Sequence, residues 1–178
     1  AQNVELSISL IDQRFLTGDR PLYDKLAASL PRFFSTQRVA LMRHLLSMTA
    51  SRHAKFQNTI FHLEPNLKET PGGIRDIHVV HWLDRLRGSD AVAAITGESP
   101  RRFMADLRLR LHERFKRDAN VLTFEVQEQM SADPAAWMRE YFRHARSIYR
   151  DVQRQIEMTE ALTENSLLRQ FRDWRSRL

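Results

Sequence analysis

Leu63–Trp82, with the sequence LEPNLKETPGGIRDIHVVHW, departs from the pattern of the chain around it. The protein has only 5 glycines and 6 prolines. Two adjacent glycines, Gly72 and Gly73, and two prolines, Pro65 and Pro71, lie in this stretch. Glycine and proline weaken or break helices, so the stretch predicts a stiff, non-helical bend. Loops held by a rigid scaffold often carry function, and we look for the functional site here first.

On both sides of the bend the sequence predicts helices. Apolar residues at helical spacing predict a helix from Ser35, as its N-cap, to about Ala54. A loop from Phe56 to Gly73 follows, and Gly73 is expected to cap a helix over Ile74–Arg87. A short break is predicted from Gly88 to Ser99.

Cap-then-proline pairs predict two further helix starts, at Ser99-Pro100 and at Asp133-Pro134. Val121–Met130 predicts a short helix between them, and residues 162–178 predict a separate helix in the tail. The helix after Pro134 has an apolar stripe at three- and four-residue steps, formed by Met138, Tyr141, Phe142, Ala145, Ile148, Tyr149, Val152 and Ile156. Its other side carries arginines, namely Arg139, Arg143, Arg146, Arg150 and Arg154.

The start of the chain is ambiguous. Within residues 1–16 the run VELSISLI alternates partly like a strand. Pro21 suits the first position of a short helix through Leu30, and Pro31 is expected to stop it. Several amphipathic helices with short links predict an all-α helical bundle, with the non-helical loop packed across it.

Composition narrows the classes of function. The chain of 178 residues is 42% hydrophobic and 28% charged, which is typical of a globular domain. It has no cysteine, which excludes disulfides, thiolate nucleophiles and cysteine-ligated metals and fits a cytoplasmic protein. No apolar run is long enough for a membrane span.

The formal charge is +6, and all but four of the 28 basic residues are arginine. This charge favours acidic partners, although arginines on solvated helix faces are the simpler explanation. Two alternatives therefore stay open: a non-catalytic helical adaptor for an acidic protein, and a basic nucleic-acid-binding module. The arginine stripe lacks interleaved aromatic residues, which weakens the nucleic-acid alternative.

The first turn after the two glycines places charge on an apolar face. On a helical wheel, Arg75 and Asp76 both fall toward the apolar side. A buried arginine needs an acidic partner, and Glu64, Glu69 and Asp76 are the local candidates.

Two interpretations of this turn follow. Lys68, Arg75 and free amides at Gly72 and Gly73 would form an anion or phosphate site. Alternatively, the charges pin the loop to the bundle.

His78 and His81 lie on the remaining face of the helix predicted after Gly73. They lack a carboxylate at ligand spacing, and we expect exposed or interface histidines rather than a metal site.

LEPNLKETPGGIRDI resembles a hallmark of the bacterial PII uridylyltransferases, which also remove uridylyl groups. A related string occurs in glutamine synthetase adenylyltransferases. Further segments resemble the same family in the same order, namely LIDQRFLTGDRPLYDKL from Leu10, RHAKFQNTIFHLEPN from Arg52, NVLTFEVQEQM from Asn120 and MREYFRHARSIYR from Met138.

The resemblance implies transfer of UMP from UTP to a tyrosine of the PII signalling protein. In the family, a nucleotidyltransferase domain with a Gly-Ser motif and an Asp-x-Asp pair holds Mg²⁺. We expect residues 1–20 to be a remnant of that domain, residues 21–160 to be the helical bundle, and residues 161–178 to be a helical tail. The tail would lead to a hydrolase domain with a His-Asp pair that this chain lacks, and the chain alone would be inactive.

The resemblance also suggests roles for individual residues. Asp12 matches an acidic position of the nucleotidyltransferase sheet and is the one candidate catalytic residue and metal ligand in the chain. The residues expected to bind the nucleotide phosphates or to anchor the loop are Glu64, Asn66, Lys68, Gly72, Gly73, Arg75 and Asp76.

Overall fold

The computed structural model describes residues 4–88 and 97–175, with side chains through residue 164. Within these ranges it contains no β-strand, so the predicted all-α bundle is confirmed. A 3-10 turn at Leu10–Asp12 follows the first helix. The helices are α1 (Val4–Ser9), α2 (Arg20–Lys55), α3 (Ile74–Arg87), α4 (Glu98–Phe115), α5 (Phe124–Met130) and α6 (Pro134–Arg175).

Helix α3 lies between two apolar clusters and contributes to both. Its first turns join a cluster with the loop, α4, α5 and α6, formed by Leu67, Ile74, Ile77, Met104, Leu107, Leu111, Leu122, Val126, Met138, Tyr141, Ala145 and Ile148. Its later turns join a cluster with α1, α2 and α6, formed by Ile8, Leu41, Met42, Leu45, Val79, Val80, Leu83, Leu86 and Val152. The orientation of α3 therefore determines how the two halves of the bundle meet.

Local capping signals predicted the starts of α3 and α6, but the helix start predicted at Ser35 is wrong, because Ser35 lies inside α2, which begins after Asp19. The Asp133 carboxylate accepts a hydrogen bond from the Ala136 amide at 2.9 Å, as the cap-then-proline pattern predicted. Helix α3 begins after Gly73 and ends at Gly88, which adopts a left-handed conformation with φ of 72°. Helix α4 begins at Glu98, one residue before the predicted cap.

The strand-like alternation within residues 1–16, which left this segment ambiguous, does not give a strand. Val4–Ser9 form α1, and Ile8 is buried against α2 and α3. The described part of the bundle offers no neighbouring strand to accept hydrogen bonds, so the segment satisfies its own backbone as a helix.

The helix stop predicted at Pro31 is also wrong, because α2 runs through this residue. Proline removes one amide donor and crowds the preceding turn. Residues buried on both sides of it, Leu30 and Leu41, hold the helix on the bundle. Tertiary packing here outweighs a local breaker.

Residues 162–175 continue α6 rather than forming a separate helix. After Pro134 this stretch contains no further glycine or proline to end the helix. The predicted stripe is confirmed through Ile156, which packs against the second cluster, and polar side chains are also buried on this side at Gln155, Thr159 and Thr163.

The predicted break before α4 falls partly on residues 89–96, outside the described residues. No helix in the described ranges combines the length and apolar character that a membrane span requires.

Candidate functional site

The two glycines of the bend allow backbone to press on backbone. Gly72 has a φ of +79°, and a Cβ at this position would lie 2.3 Å from the carbonyl oxygen of Ala145 in α6. A Cβ on Gly73 would lie 2.6 Å from the carbonyl oxygen of Leu67. Neither site accepts a side chain without backbone movement. The bend is therefore fixed directly against α6.

Asn66 organises the loop before the glycines. Its side-chain oxygen accepts hydrogen bonds from the amides of Lys68 and Glu69, each at 3.0 Å. Its own amide donates to the Thr70 hydroxyl at 2.9 Å. Leu67, inside this turn, is fully buried in the first apolar cluster. The Asx turn thus folds the chain around a core residue.

The amides at the start of α3 all have partners. The Gly72 amide donates to Asp76 Oδ2 at 2.7 Å. The next three amides donate to loop carbonyls, in the pairs Gly73 to Thr70, Ile74 to Leu67 and Arg75 to Lys68. They are therefore not the free donors that an amide-based phosphate site requires. An anion at this corner of the fold, Leu63–Asp76, would have to be bound by side chains.

Asp76 is the buried charge at the corner. Its carboxylate has no exposed surface and accepts hydrogen bonds from Arg52, from His53 Nε2 at 2.9 Å and from the Gly72 amide. Burial alone would raise the pKa of Asp76. The His53 hydrogen bond and the Arg52 charge outweigh burial and hold this pKa below its ordinary value.

Arg52 also donates to the backbone carbonyl of Glu69 at 3.0 Å. Since Arg52 and His53 are in α2, Glu69 is in the loop and Asp76 is in α3, one cluster of charges ties three segments together. Removing one member of such a cluster leaves the others buried without a partner.

The prediction that Arg75 would be the buried ion is wrong. Its side chain is 35% exposed and pairs with Glu69 at 3.3 Å. Asp76 takes the buried position, and its partners Arg52 and His53 were missed. A signal was present, because His53 follows the buried Leu45 and Thr49 at four-residue steps along α2.

The remaining loop residues are placed differently. Glu64 is not a partner of Arg75; its Oε1 accepts from the Phe124 amide at 2.8 Å, at the start of α5. Lys68 is half-buried. Hydrogen bonds from Asn120 and Arg108 lower the pKa of Asp118, and the charge of Lys68 lowers it further.

Asp12 contacts the middle of α3 rather than the corner. It lies in the 3-10 turn, and its two oxygens accept from His81 Nε2 at 2.7 Å and from Trp82 Nε1 at 2.8 Å. Partial burial raises its pKa, but these two hydrogen bonds and the His81 charge leave a net lowering. The predicted interface role of His81 thus has a specific partner, and the Asp12 side chain remains 51% exposed.

No three His, Asp or Glu side chains gather into a metal site anywhere in the described ranges. Asp12 has unused lone pairs, because each of its oxygens accepts one described hydrogen bond. It fits a Mg²⁺ site only as one ligand, with the other ligands supplied from outside the described chain.

Comparison with known proteins gives the family. The model of the family described as GlnD PII-uridylyltransferase matches residues 40–156, a range that contains the corner and most of α6. Bifunctional uridylyltransferase/uridylyl-removing enzymes are similar to this chain. The enzyme of Burkholderia orbicola (strain MC0-3) is 33% identical over 147 residues, covering 72% of this chain and 16% of that protein.

The enzyme of Thiobacillus denitrificans is 31% identical over 172 residues, covering 83% of this chain and 20% of the relative. The enzyme of Haemophilus influenzae is 29% identical over 143 residues, covering 73% of this chain and 17% of that protein. The chain therefore spans only about a sixth to a fifth of the length of these relatives. No solved structure matches it. The sequence resemblance is confirmed: the chain belongs to the GlnD PII-uridylyltransferase family.

Proposed function

We propose that this chain is the helical domain of a cytoplasmic uridylyltransferase that transfers UMP from UTP to a tyrosine of the PII protein. The observation that carries the proposal is the family match over residues 40–156, which includes the whole buried-charge corner. The names of the similar proteins support both halves of the bifunctional activity in the intact enzyme.

In this proposal the chain supports chemistry that a neighbouring domain performs. Residues 1–20 meet the nucleotidyltransferase domain, residues 21–160 form the supporting bundle, and residues 161–178 lead toward the uridylyl-removing domain. Mg²⁺, when bound, neutralises charge on the phosphates during transfer. In this proposal the isolated chain lacks activity, because the Asp-x-Asp pair that positions the nucleotide with Mg²⁺ belongs to the nucleotidyltransferase domain.

Asp12 is the carboxylate that this chain contributes to the reaction. The bonds from His81 and Trp82 fix its orientation, and half of its side chain stays open to an approaching domain. The Asp76 cluster fixes α3 on α2 and the loop, so the residues that hold Asp12 are themselves held. The corner therefore affects the reaction indirectly, by fixing the position of Asp12.

Lys68 and Arg75 contact the nucleotide phosphates through their side chains. Lys68 carries a charge that no described carboxylate neutralises by direct contact, and Arg75 is bound to Glu69 only at 3.3 Å. A forked guanidinium bridges phosphate oxygens well once it is released from such a weak pair.

The test is Asp12→Asn in the intact enzyme. We expect UMP transfer to fall by at least about 100-fold, the size of losing one preorganised charged group in an active site. Uridylyl removal and thermal stability should be unchanged. Asp24→Asn is the matched control, since Asp24 pairs only with exposed Arg20. UMP transfer within about twofold of the wild type would remove Asp12 from the proposed function.

A further inference from the structure

A cavity of about 380 Å³ lies between the 3-10 turn, α2 and the end of α3. Polar groups provide the larger part of its lining surface, and apolar side chains from all three segments provide the rest, namely Leu10, Ile11, Ala27, Leu30, Phe34 and Leu86. None of its lining residues belongs to the Leu63–Asp76 corner, so the cavity is a separate feature of the fold. Its size and its combination of apolar and polar walls suit a small organic molecule with a polar group.

Two arginines from different helices line this cavity. Arg38 belongs to α2 and Arg85 to α3. Neither side chain forms an ion pair or a hydrogen bond with any part of the chain that the structure describes. Arg85 acts on Asp12 only through its charge. Both arginines are exposed residues, and two guanidinium groups without a described partner at one partly apolar cavity favour an anionic group at that position.

Gln13 provides a hydrogen-bond acceptor that has no donor. It lines the same cavity, and its side-chain oxygen is buried and accepts no hydrogen bond from the described residues. Buried acceptors in folded proteins are nearly always paired, because an unpaired one loses its bonds to water without replacement. An N–H or O–H group on a bound molecule would satisfy it.

We propose that this cavity binds a small amphipathic organic anion. Its carboxylate, sulfonate or phosphate lies at Arg38 and Arg85, its apolar body fills the cavity, and its hydrogen-bond donor reaches Gln13. The inference does not depend on the uridylyltransferase proposal. The turn that carries Asp12 forms one wall of the cavity, so an occupant would also stabilise that turn.

The probe is 8-anilinonaphthalene-1-sulfonate, which combines an anion, an apolar body and an N–H donor and fluoresces when it leaves water. The comparison probe is N-phenyl-1-naphthylamine, which has the same rings without the sulfonate. In fluorescence titrations of the 178-residue chain, we expect one site that binds the sulfonate at least about tenfold more tightly, a difference of about 1.4 kcal/mol.

The variants separate this cavity from general surface binding. Arg38→Gln with Arg85→Gln should abolish the preference for the sulfonate. The control, Arg139→Gln with Arg150→Gln, makes the same change of charge on exposed residues of α6 and should leave binding unchanged. Gln13→Leu should weaken binding of the sulfonate probe severalfold.

Ala27→Phe fills the cavity and should remove binding of both probes. If this variant does not fold, as judged by circular dichroism, Ser35→Trp blocks the same cavity from its exposed edge. The proposal is overturned if the two probes bind equally or if the Arg38/Arg85 variant keeps the preference. It is also overturned if filling the cavity leaves the binding stoichiometry unchanged.

Discussion

At the scale of single residues, the bend depends on glycines for two separable reasons. Gly72 combines a φ of +79° with a backbone contact, whereas Gly73 has the contact alone. Gly18 has a φ of +106° and open space around it. These three positions therefore distinguish backbone strain from steric conflict within one protein.

We predict that Gly72→Ala destabilises the chain most. Its Cβ would overlap the Ala145 carbonyl, and its φ is strained for an L residue. Gly18→Ala should cost only about 1 kcal/mol of unfolding free energy, the range for strain alone. Gly73→Ala should fall between them. Urea denaturation measures all three, and equal losses at Gly72 and Gly18 would show that the contact with α6 is absent in solution.

Lys68 and Arg75 are predicted to act on the nucleotide rather than on the fold. In the intact enzyme, Lys68→Ala and Arg75→Ala should each raise KM for UTP about five- to tenfold, as expected for losing one charge-assisted hydrogen bond. Stability should be nearly unchanged, because Arg75 is 35% exposed. Arg139→Ala on α6 is the control. Steady-state kinetics with an unaltered KM in both variants would rule out phosphate contact.

At the scale of elements, local sequence signals predicted some helices and failed for others. Helix α3 and the start of α6 were predicted correctly, because their caps lie within a few residues of the helices they begin or end. The strand-like run in residues 1–16 forms a helix and the stop predicted at Pro31 was wrong, because packing against helices distant in sequence outweighs both local signals. A helix-breaking residue predicts the end of a helix only where little tertiary packing opposes it.

Pro31 is predicted to lower the stability of helix α2. Pro31→Ala restores an amide donor in the helix interior and should raise the unfolding free energy by up to about 3 kcal/mol. Pro134→Ala is the control, because Pro134 opens α6, where the missing amide has no partner to lose. Differential scanning calorimetry should show a higher Tm for the first variant only. Equal Tm changes would mean that α2 is not continuous.

At the scale of the whole molecule, the bend could be located from sequence but its partners could not. The glycine pair and Asp76 were identified from local spacing and helical geometry. Arg52 and His53 are 24 and 23 residues away from Asp76, and nothing local connects them. The predicted burial of Arg75 failed for the same reason, because a helical wheel shows which residues share a face but not which charge finds partners.

The buried Asp76 carboxylate, bound by Arg52 and His53, holds the bend and α3 on the bundle. Its pKa is lowered in the folded chain. Its contribution to stability is therefore present above the ordinary aspartate pKa of about 3.9 and is lost as pH falls through the lower folded value. Asp76→Asn removes the charge while keeping the size of the side chain.

The most direct test is the unfolding free energy of wild type, Asp76→Asn and the exposed control Asp24→Asn, measured by urea denaturation at pH 7 and again at acidic pH. At pH 7 we expect Asp76→Asn to lose about 3–5 kcal/mol, because it leaves Arg52 and His53 buried without their partner. This difference should shrink on acidification. A loss at pH 7 below about 0.5 kcal/mol, the size of a surface substitution, would show that the Asp76 carboxylate does not hold the bend on the bundle.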